Sequence, residues 1–334
     1  METLPYLSAD LPGLGGRIKA RPEHFAVEEI PLYEASGEGP HLYLTIRRSG
    51  LTTRQVVDDL AKRFKQSPDA VGYAGLKDKQ AVTTQVFSLP VTLSEAEARS
   101  LGREAPWEIL TVSRHQNKLK VGHLLGNRFT IVLSEAQGGL TEAAAIAERL
   151  KVTGLPNYFG EQRFGEGGDN PAEALKILKS GRKGRGWRDK FLMSALQSLI
   201  YNYYLSLRIN GGLFQTVLTG DVCKKYATGG LFTSEDGTVE TERLAAGELT
   251  HTGPIFGSKM MRAKDAAGEL EDRALAGLEL SEEEAARTGS GDRRANRLLI
   301  PDLSVSQNAE GLVFTFALPK GAYATSVMRE FLRS

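Results

Sequence analysis

The sequence predicts an α+β protein in which one β-sheet is interrupted by an inserted, more helical domain. Before Gly154 the chain mixes strand and helix patterns, and from there to about residue 300 helical patterns predominate. The segment from Leu312 then returns to one strand and one helix of the N-terminal type. A length of 334 residues exceeds the usual single core, so a second domain is expected.

The first predicted elements are a strand and a helix. In HLYLTIR, the side chains of Leu42, Leu44 and Ile46 fall on one face, which is the period of a half-buried strand. In LTTRQVVDDLAKRF, Thr52 and Gln55 have the spacing of a capping box, which predicts a helix start. Apolar residues follow at helical spacing: Val56, Val57, Leu60, Ala61 and Phe64.

Further strands and helices complete the N-terminal part. TTQVFSLPV predicts a strand that stops near Pro90. Ser94 and Glu97 form a second capping box, whose helix ends about Gly102. RFTIVL predicts a strand and residues 141–151 predict a helix. One face of the RFTIVL strand carries Phe129, Ile131 and Leu133.

The inserted part and the C-terminus carry equally clear patterns. The helix predicted from Asp189 to Ile209 is apolar nearly all round, so most of it should be buried. Charged helical segments follow near residues 262–288. LVFTFALP predicts a strand and TSVMREFLR a helix. The alternating residues of this last strand are Leu312, Phe314, Phe316 and Leu318.

Composition is typical of a globular protein, with 41% hydrophobic and 25% charged residues. No apolar run approaches the roughly 20 residues that span a bilayer, and the N-terminal segment lacks the pattern of a secretory signal. The one cysteine, Cys223, excludes an internal disulfide and fits a reducing compartment. We therefore expect a cytoplasmic protein with no membrane partner. Because no heptad seam is present, we also expect a monomer.

The net charge of +1 is small, but the charges are unevenly placed. One basic stretch, SGRKGRGWRDK, surrounds Trp187 and contains Lys179, Arg182, Lys183, Arg185, Arg188 and Lys190. A second consists of Arg114, His115, Lys118, Lys120 and Arg128. Acidic residues gather elsewhere, at Asp265, Glu269, Glu271, Asp272 and residues 282–284. This separation predicts a basic face that neutralises phosphates and an acidic face turned away from it, although two solvated loops are the alternative.

Standard metal and cofactor motifs are absent from the sequence. The five histidines are scattered and form no zinc-binding pattern. There is no Walker-type phosphate loop, and no G-x-S-x-G turn marks a nucleophilic serine. The early glycines Gly13, Gly15 and Gly16 lack the strand and helix of a nucleotide site. We therefore expect neither a metal nor an organic cofactor.

The segment GYAGLKDKQAVTTQ, residues 72–85, contains the candidate nucleophile. Asp78 lies between Lys77 and Lys79 in a turn before a predicted strand. Nearby positive charge lowers the pKa of an aspartate from its usual value of about 3.9, so Asp78 should be ionised near pH 7. Such a carboxylate is the nucleophile of retaining glycosidases. Judged on the pattern alone, however, the turn is more often a solvated charged loop.

Other segments supply candidate substrate-binding residues. Lys19 and Phe25 lie in a strand-like context, where Phe25 is either a core residue or a wall for a base. Asn127 and Phe129 lie at a strand entry, where an amide can bind a base edge and a ring can stack on a base. Tyr323 lies at a strand-to-helix turn. The structural alternatives are a turn-capping Asn127 and aromatic rings that only pack.

These segments resemble the TruD family of tRNA pseudouridine synthases over nearly the whole chain, from Gly16 to Phe331. AGLKDKQAVTTQ resembles the family's G-x-K-D motif and puts Asp78 at the position of the nucleophile. Other blocks resemble the family in the same order: RPEHFAVEE, NKLKVGHLLGNRF, GLPNYFGEQRFG, TGPIFG and LPKGAYATSV. Tyr323 stands where the family has an aromatic residue.

The resemblance implies a fold and a division into domains. Residues 1–153 and 303–334 would form a pseudouridine-synthase catalytic domain with a mixed, largely antiparallel sheet. Residues 154–302 would form the inserted TRUD domain. Both implications agree with the interruption of the sheet that the strand and helix patterns predict.

The resemblance also implies a function: conversion of one uridine of tRNA, at position 13 in the usual bacterial substrate, to pseudouridine. Asp78 would attack a flipped-out uridine at either the ribose C1′ or the uracil C6. Phe25, Phe129 and Tyr323 would stack on the base and Asn127 would bind the uracil edge. A pair of lysines, Lys19 and Lys77, would hold Asp78 ionised or bind a phosphate. The base that removes the C5 proton stays open.

Three other interpretations compete with this one. The first is a non-catalytic tRNA-binding protein or RNA chaperone, which would tolerate the loss of Asp78. The second is the same chemistry at another RNA site. The third is a small-molecule enzyme, which the basic stretches and the missing cofactor motifs disfavour.

Overall fold

The computed structural model describes residues 4–165, 167–181 and 186–333. Over these residues the chain forms two compact units. The first, the sheet unit, consists of Pro12–Ala147, Asp302–Ala324 and Phe331–Ser334. The second, the helix-rich unit, consists of Met1–Leu11, Glu148–Pro301 and Thr325–Glu330. The assignment of residues 1–153 with 303–334 to a catalytic domain, and of 154–302 to an inserted one, stays a prediction.

Strands and helices alternate along most of the chain. In chain order the strands are β1 (Phe25–Pro31), β2 (His41–Arg48), β3 (Gly72–Tyr73), β4 (Val82–Leu89), β5 (Trp107–His115), β6 (Leu124–Leu133), β7 (Leu155–Pro156), β8 (Val222–Lys225), β9 (Leu231–Thr233), β10 (Leu249–Ile255), β11 (Asp292–Ala295), β12 (Arg297–Leu298), β13 (Ser304–Asn308) and β14 (Gly311–Pro319). The helices are α1 (Thr53–Arg63), α2 (Glu95–Gly102), α3 (Leu140–Thr153), α4 (Asn170–Lys179), α5 (Gly186–Asn210), α6 (Gly237–Ala245), α7 (Asp265–Ala276), α8 (Glu282–Ala286) and α9 (Ala324–Leu332).

One eight-stranded sheet organises the sheet unit. Its strand order is β13-β14-β6-β1-β4-β2-β5, with β3 beside β4. Strands β1 and β4 are parallel, whereas the other neighbours pair antiparallel. The predicted mixed, largely antiparallel sheet is therefore confirmed. The edge strand β13 and its neighbour β14 come from the C-terminal segment, as the return of the strand pattern there predicts.

Helix α1 covers one face of this sheet. The predicted inward residues Leu42, Leu44 and Ile46 are fully buried and pack on α1. Helix α1 begins with the predicted capping box, because Thr52 accepts the Gln55 N–H and the Gln55 side chain returns to the Thr52 N–H. The second predicted capping box, at Ser94, opens α2. Local sequence signals thus place the helix that supports the site.

The covered face changes from apolar to polar along its strands. The β2–β4 pairs run from Leu44 and Phe87 through Ile46 and Gln85 to Arg48 and Thr83. All six of these side chains are buried. Buried polar groups in a sheet face require hydrogen-bond partners, so the polar end of this face is a place where function is expected.

The same polar row continues across the neighbouring strands. Glu29 on β1 lies directly opposite Asn127 on β6. Since Glu28 pairs with Thr84 in the parallel register, Glu29 lies beside Gln85. Side chains alternate along a strand, so these three polar groups share one face. The sheet therefore presents Gln85, Glu29 and Asn127 side by side.

The helix-rich unit is built around α5, the long helix predicted at 189–209. Buried residues occur on all sides of it, as its apolar sequence predicts. A four-stranded sheet of order β11-β10-β8-β9 packs nearby. A fully buried ion pair joins Arg208 on α5 to Asp221 at 2.6 Å. Over the residues that the structure describes, no helix is long and apolar enough to cross a membrane.

The prediction of an exposed acidic face is wrong for Glu271, one of its main members. Glu271 is buried, and its carboxylate pairs with Arg293. Arg262 lies 2.6 Å from Asp272 and 3.5 Å from Glu282, which further neutralises the cluster. A buried carboxylate requires a paired cation. A run of acidic residues in the sequence does not show which of them has such a partner elsewhere in the chain.

The second basic stretch also differs from its prediction. Arg128 pairs with Asp302 at 3.3 Å, and Arg114 donates hydrogen bonds to backbone carbonyls, including that of Leu93 at 2.6 Å. Both guanidinium groups therefore have structural partners. In the first basic stretch, Arg182, Lys183 and Arg185 lie outside the described residues.

Candidate active site

Asp78 lies in the loop between β3 and β4, and its carboxylate has two defined partners. The Lys19 ammonium donates to Oδ2 at 2.5 Å, and the backbone N–H of Gln80 donates to Oδ1 at 3.0 Å. The side chain is 45% exposed, so the carboxylate is both oriented and accessible. This combination is required of a nucleophile or base.

Opposing effects determine the ionisation of Asp78. Partial burial raises the pKa of the carboxyl, but the hydrogen bond from Lys19, the Gln80 N–H and the positive charge of Lys19 lower it, and the pKa ends below its ordinary value. Asp78 is therefore ionised at neutral pH. Because the pKa is depressed on folding, its contribution to stability is present above the unfolded pKa and is lost as the pH falls through the folded pKa.

Lys19 is held in an uncommon backbone conformation. Its φ is 58°, in the left-handed region that residues other than glycine rarely adopt. Its ammonium group lies 4.4 Å from the centre of the Phe25 ring, which adds a cation–π attraction. The Phe25 ring and the Asp78 carboxylate thus fix the same cation. Local strain that tertiary contacts maintain is typical of functional sites.

Lys77 does not hold Asp78, contrary to the prediction. Its side chain is 5% exposed and lies 2.9 Å from the Glu29 carboxylate, which is itself 2% exposed. The same ammonium donates to Oδ1 of Asn127 at 2.7 Å. The adjacent residues Lys77 and Asp78 therefore point in different directions, one into the sheet and the other towards solvent.

A buried hydroxyl group anchors the backbone next to Asp78. Thr53, the first residue of α1, accepts the Lys77 N–H at 2.9 Å. It also accepts from Arg48 at 3.0 Å and donates to Gln85 at 3.3 Å. The Gln85 amide in turn donates to the carbonyl of Gly75. Both ends of the segment before Asp78 are thus tied to α1 and β4.

Arg48 is buried in this network without a carboxylate partner among the described residues. Its guanidinium donates to the carbonyl of Leu51 and to Thr53. Burial lowers the pKa of Arg48 to about 10. The group stays charged at neutral pH, and its positive potential lies beneath the loop that carries Asp78.

The predicted aromatic residues pack together beside Lys19. The rings of Phe25 and Phe129 meet edge to face at 6.1 Å, and Phe129 stacks on Phe316 at 5.5 Å. Phe25 and Phe129 are only 5% and 7% exposed. Phe129 and Asn127 lie within β6 and not at its entry. The rings of Phe25, Phe129 and Phe316 pack into an aromatic wall. Because the first two are nearly buried, only an edge of this wall reaches solvent.

Tyr323 lies at the predicted strand-to-helix turn, immediately before α9. It is half-buried. Strand β14 ends at Pro319, which pairs with Gly126 beside Asn127. The turn that contains Tyr323 therefore starts next to the polar row. No contact within the described residues links its ring to Asp78.

The residues that support the site are not marked by the motif around Asp78. Glu29, Thr53, Gln85 and Arg48 were not expected there, although one signal was present. In FAVEEI the residues Phe25, Val27 and Glu29 alternate onto the same face, which puts a carboxylate where an apolar side chain is expected. A charge at a core position indicates a buried partner. Among the described residues, no group of three His, Cys, Asp or Glu side chains converges to hold a metal ion.

Replacement of Thr53 by valine tests the anchoring network. Thr53→Val keeps the shape but leaves the buried Lys77 N–H without its acceptor, so we expect a loss of about 1–3 kcal/mol in the free energy of unfolding. The fluorescence of buried Trp107 during urea unfolding measures the sheet unit. Thr84→Val, at a half-buried strand position, is the matched control and should change stability by less than about 0.5 kcal/mol. Equal effects of the two variants would contradict this role.

Removal of the Lys19 ammonium tests the electrostatics at Asp78. Lys19→Met removes a hydrogen bond and a positive charge while the partial burial remains, so the pKa of Asp78 should rise. Carbon NMR of the aspartate carboxyls during a pH titration measures this pKa. Lys79→Met is the control, because Lys79 acts on Asp78 through its backbone N–H, which the substitution keeps. A pKa that stays at the wild-type value in Lys19→Met would contradict the assignment.

Comparisons with known proteins agree with this architecture. The family model described as tRNA pseudouridine synthase D (TruD) matches residues 3–173 and 188–331. A relative named tRNA pseudouridine synthase D from Thermus thermophilus is 44% identical over 334 residues, which cover 99% of this chain and 93% of the relative. One of the same name from Anaeromyxobacter dehalogenans is 43% identical over 345 residues, covering 100% and 98%.

A solved structure supports the fold. The crystal structure described as a tRNA pseudouridine synthase D from Methanosarcina mazei superposes with a TM-score of 0.78 and is 24% identical in sequence. The similarity covers 99% of this chain and 96% of that one. The family model and the two relatives lead to one conclusion. The chain belongs to the tRNA pseudouridine synthase D (TruD) family.

Proposed function

We propose that the protein isomerises a specific uridine of tRNA, at position 13, to pseudouridine, with Asp78 as the nucleophile. The observation that carries the proposal is the ionised, half-exposed carboxylate of Asp78, which Lys19 and the Gln80 N–H orient beside an aromatic wall. Membership of the TruD family supports the reaction type. The names of the relatives support tRNA as the substrate.

The reaction needs a nucleophile but neither an oxidant nor a group donor. The Asp78 carboxylate attacks the ribose C1′ or the uracil C6 and forms a covalent intermediate. The N1–C1′ bond breaks, the uracil turns over, and C5 bonds to C1′. After attack at C1′, C5 displaces the carboxylate as it bonds to C1′; after attack at C6, the carboxylate leaves C6 in a later step. On both routes C5 loses a proton and N1 gains one, so the product is an isomer of the substrate.

Access to the uridine requires that it leaves its base stack, at a cost of a few kcal/mol. The edge of the wall formed by Phe25 and Phe129, with Tyr323 on the neighbouring turn, offers a surface for the flipped base. A base that stacks on the face of an aromatic ring gains about 1–3 kcal/mol, which offsets much of that cost. Because Phe25 and Phe129 are nearly buried, the half-buried ring of Tyr323 is the better candidate for such stacking, and the two phenylalanines offer an edge. Asn127 lies in the same polar row and binds the uracil edge.

Lys19 has the electrostatic role in this scheme. Its ammonium keeps Asp78 ionised before attack. When the carboxylate forms the covalent bond and loses its negative charge, the Lys19 ammonium remains beside it as a cation. Lys77, which is buried with Glu29, has no direct role at Asp78. Of the two lysines that the resemblance implies for the site, Lys19 therefore contacts the proposed nucleophile Asp78, and Lys77 contacts the base-binding candidate Asn127.

A non-catalytic tRNA-binding protein is the competing function. The Asp78 carboxylate argues against it, because a negative charge on a surface that contacts phosphates opposes RNA binding. A protein that only binds tRNA has no use for such a charge, whereas a nucleophile requires it. A small-molecule enzyme is disfavoured by the family of the chain.

Pseudouridine mapping on tRNA separates these functions. We expect wild-type protein to produce pseudouridine at one uridine, at position 13, and Asp78→Asn to produce none while it still binds tRNA. The amide keeps the size of the side chain but is not a nucleophile. Asp69→Asn, in an exposed turn of the same unit, is the matched control and should retain activity.

Three results would contradict the proposal in different ways. Product from Asp78→Asn would remove Asp78 from the mechanism. Product only at another uridine would show that position 13 is not the target. No product from the wild-type protein, in spite of tight tRNA binding, would favour the tRNA-binding protein.

We further propose that the basic stretch around Trp187 binds the tRNA backbone. Its described members include Lys179, at the end of α4, and Arg188 and Lys190, in α5. Because Arg188 already pairs with Glu173 at 3.1 Å, the phosphate contacts are assigned to Lys179 and Lys190. Trp187 is 79% exposed and stacks on Phe191 at 5.5 Å. Cations beside an exposed aromatic ring are typical of surfaces that bind single-stranded or flipped nucleotides.

The salt dependence of binding tests this surface. Each lost phosphate contact should lower the slope of log affinity against log salt concentration by about 1, so Lys179→Ala combined with Lys190→Ala should flatten the slope by about 2 and weaken binding. The control replaces Arg54 and Arg99 by alanine, because both already form ion pairs along their own helices. An unchanged slope in the Lys179/Lys190 variant would exclude this surface.

A further inference from the structure

A buried ion pair, Glu29–Lys77, lies behind Asn127, and the family resemblance implies no role for Glu29 and a different one for Lys77. The Lys77 ammonium lies 2.9 Å from the Glu29 carboxylate and donates to Oδ1 of Asn127 at 2.7 Å. Glu29 and Asn127 are directly opposite each other on adjacent strands. The strand register therefore fixes both partners of Lys77.

The chemistry of lysine determines how the Asn127 amide is oriented. An ammonium group has only donors, so the atom that faces Lys77 must be the amide oxygen and not the NH2 group. The NH2 group consequently points away from Lys77. Within the described part of the chain, Nδ2 of Asn127 makes no hydrogen bond, and the residue is half-buried. Its two N–H donors are available to a ligand.

Lys77 also increases the donor strength of that NH2 group. The positively charged Lys77 ammonium, hydrogen-bonded to the amide oxygen, polarises the amide. Hydrogen bonds in series strengthen one another where the local dielectric is low. Glu29 provides the counter-charge that allows Lys77 to be buried at this position. The carboxylate and the ammonium thus form a buried support behind a single outward donor.

We propose that the Glu29–Lys77 ion pair is a positioning device that presents the Asn127 NH2 group as a donor to a carbonyl oxygen of the flipped base. This inference rests on the proposed function. A donor at this position binds the O2 or O4 oxygen of uracil and does not bind its N3–H. If the oxygen is O4, the same donor rejects cytosine, which carries an amine there, because two donors would face each other.

Sulfur-substituted substrates test the proposal without changing the protein. Thiocarbonyl sulfur is a weak hydrogen-bond acceptor, so tRNA transcripts with 2-thiouridine or 4-thiouridine at the target position each remove one acceptor. We expect one of the two transcripts to react at least tenfold more slowly than the uridine transcript in single-turnover assays with wild-type protein. The slow transcript identifies the oxygen.

The variant Asn127→Ala shows whether the effect passes through the amide. It should react about 10²-fold more slowly than wild type with the uridine transcript, as expected for the loss of one such donor. It should show no additional loss with the thio transcript that slows the wild type. Equal slowing of Asn127→Ala and wild type by that transcript, or no slowing of wild type by either, would overturn the proposal.

A double-mutant cycle tests Glu29. Glu29→Gln should slow the reaction in the wild-type background but cause no further loss in the Asn127→Ala background, because its effect passes through Asn127. Multiplicative losses would show a purely structural role and overturn the proposal. The fluorescence of Trp107 checks folding of each variant, and the thio transcripts remain decisive if Glu29→Gln does not fold. A wild-type protein that forms no pseudouridine from the uridine transcript would overturn the proposed function itself.

Discussion

The ion pair between Lys77 and Glu29 is the contact on which the rest of the site depends. Lys77 turns inward because Glu29 occupies an inward position of β1 and has no other cation beside it among the described residues. Breaking a buried pair of this kind costs about 3–5 kcal/mol, so the inward position of Lys77 is strongly preferred. With Lys77 buried, the next residue, Asp78, is left facing solvent. The exposure of Asp78 thus follows from the burial of its neighbour.

The surrounding network turns this preference into a fixed geometry. Thr53 binds the Lys77 N–H, and Gln85 binds the Gly75 carbonyl, so the loop cannot move without loss of buried hydrogen bonds. Arg48, on β2, donates to Thr53. Lys19 then orients the carboxylate from the solvent side. The buried hydrogen bonds fix the loop, and the Lys19 ammonium keeps the carboxylate ionised and in one orientation. Catalysis by a positioned group requires this arrangement.

Much of the framework could be predicted because its signals are local. Capping boxes identify α1 and α2, alternation identifies β2, β6 and β14, and the motif around Asp78 identifies the candidate nucleophile. The role of Lys77 could not be predicted in this way. Its partner Glu29 is 48 residues away in the sequence, and only the strand register brings the two together. Glu271 was placed on an acidic face for a similar reason, since its partner Arg293 is 22 residues away in the sequence.

The most direct measurement is a crystal structure of the Asp78→Asn variant bound to a tRNA that contains the target uridine. If Asp78 is the nucleophile, the uridine is flipped out, and its C1′ or C6 lies about 3–3.5 Å from the amide that replaces the carboxylate, within reach for attack. The identity of the nearer carbon also decides between the two routes. A uridine that stays stacked in the tRNA, or that binds with both carbons remote from position 78, would contradict the central role of Asp78.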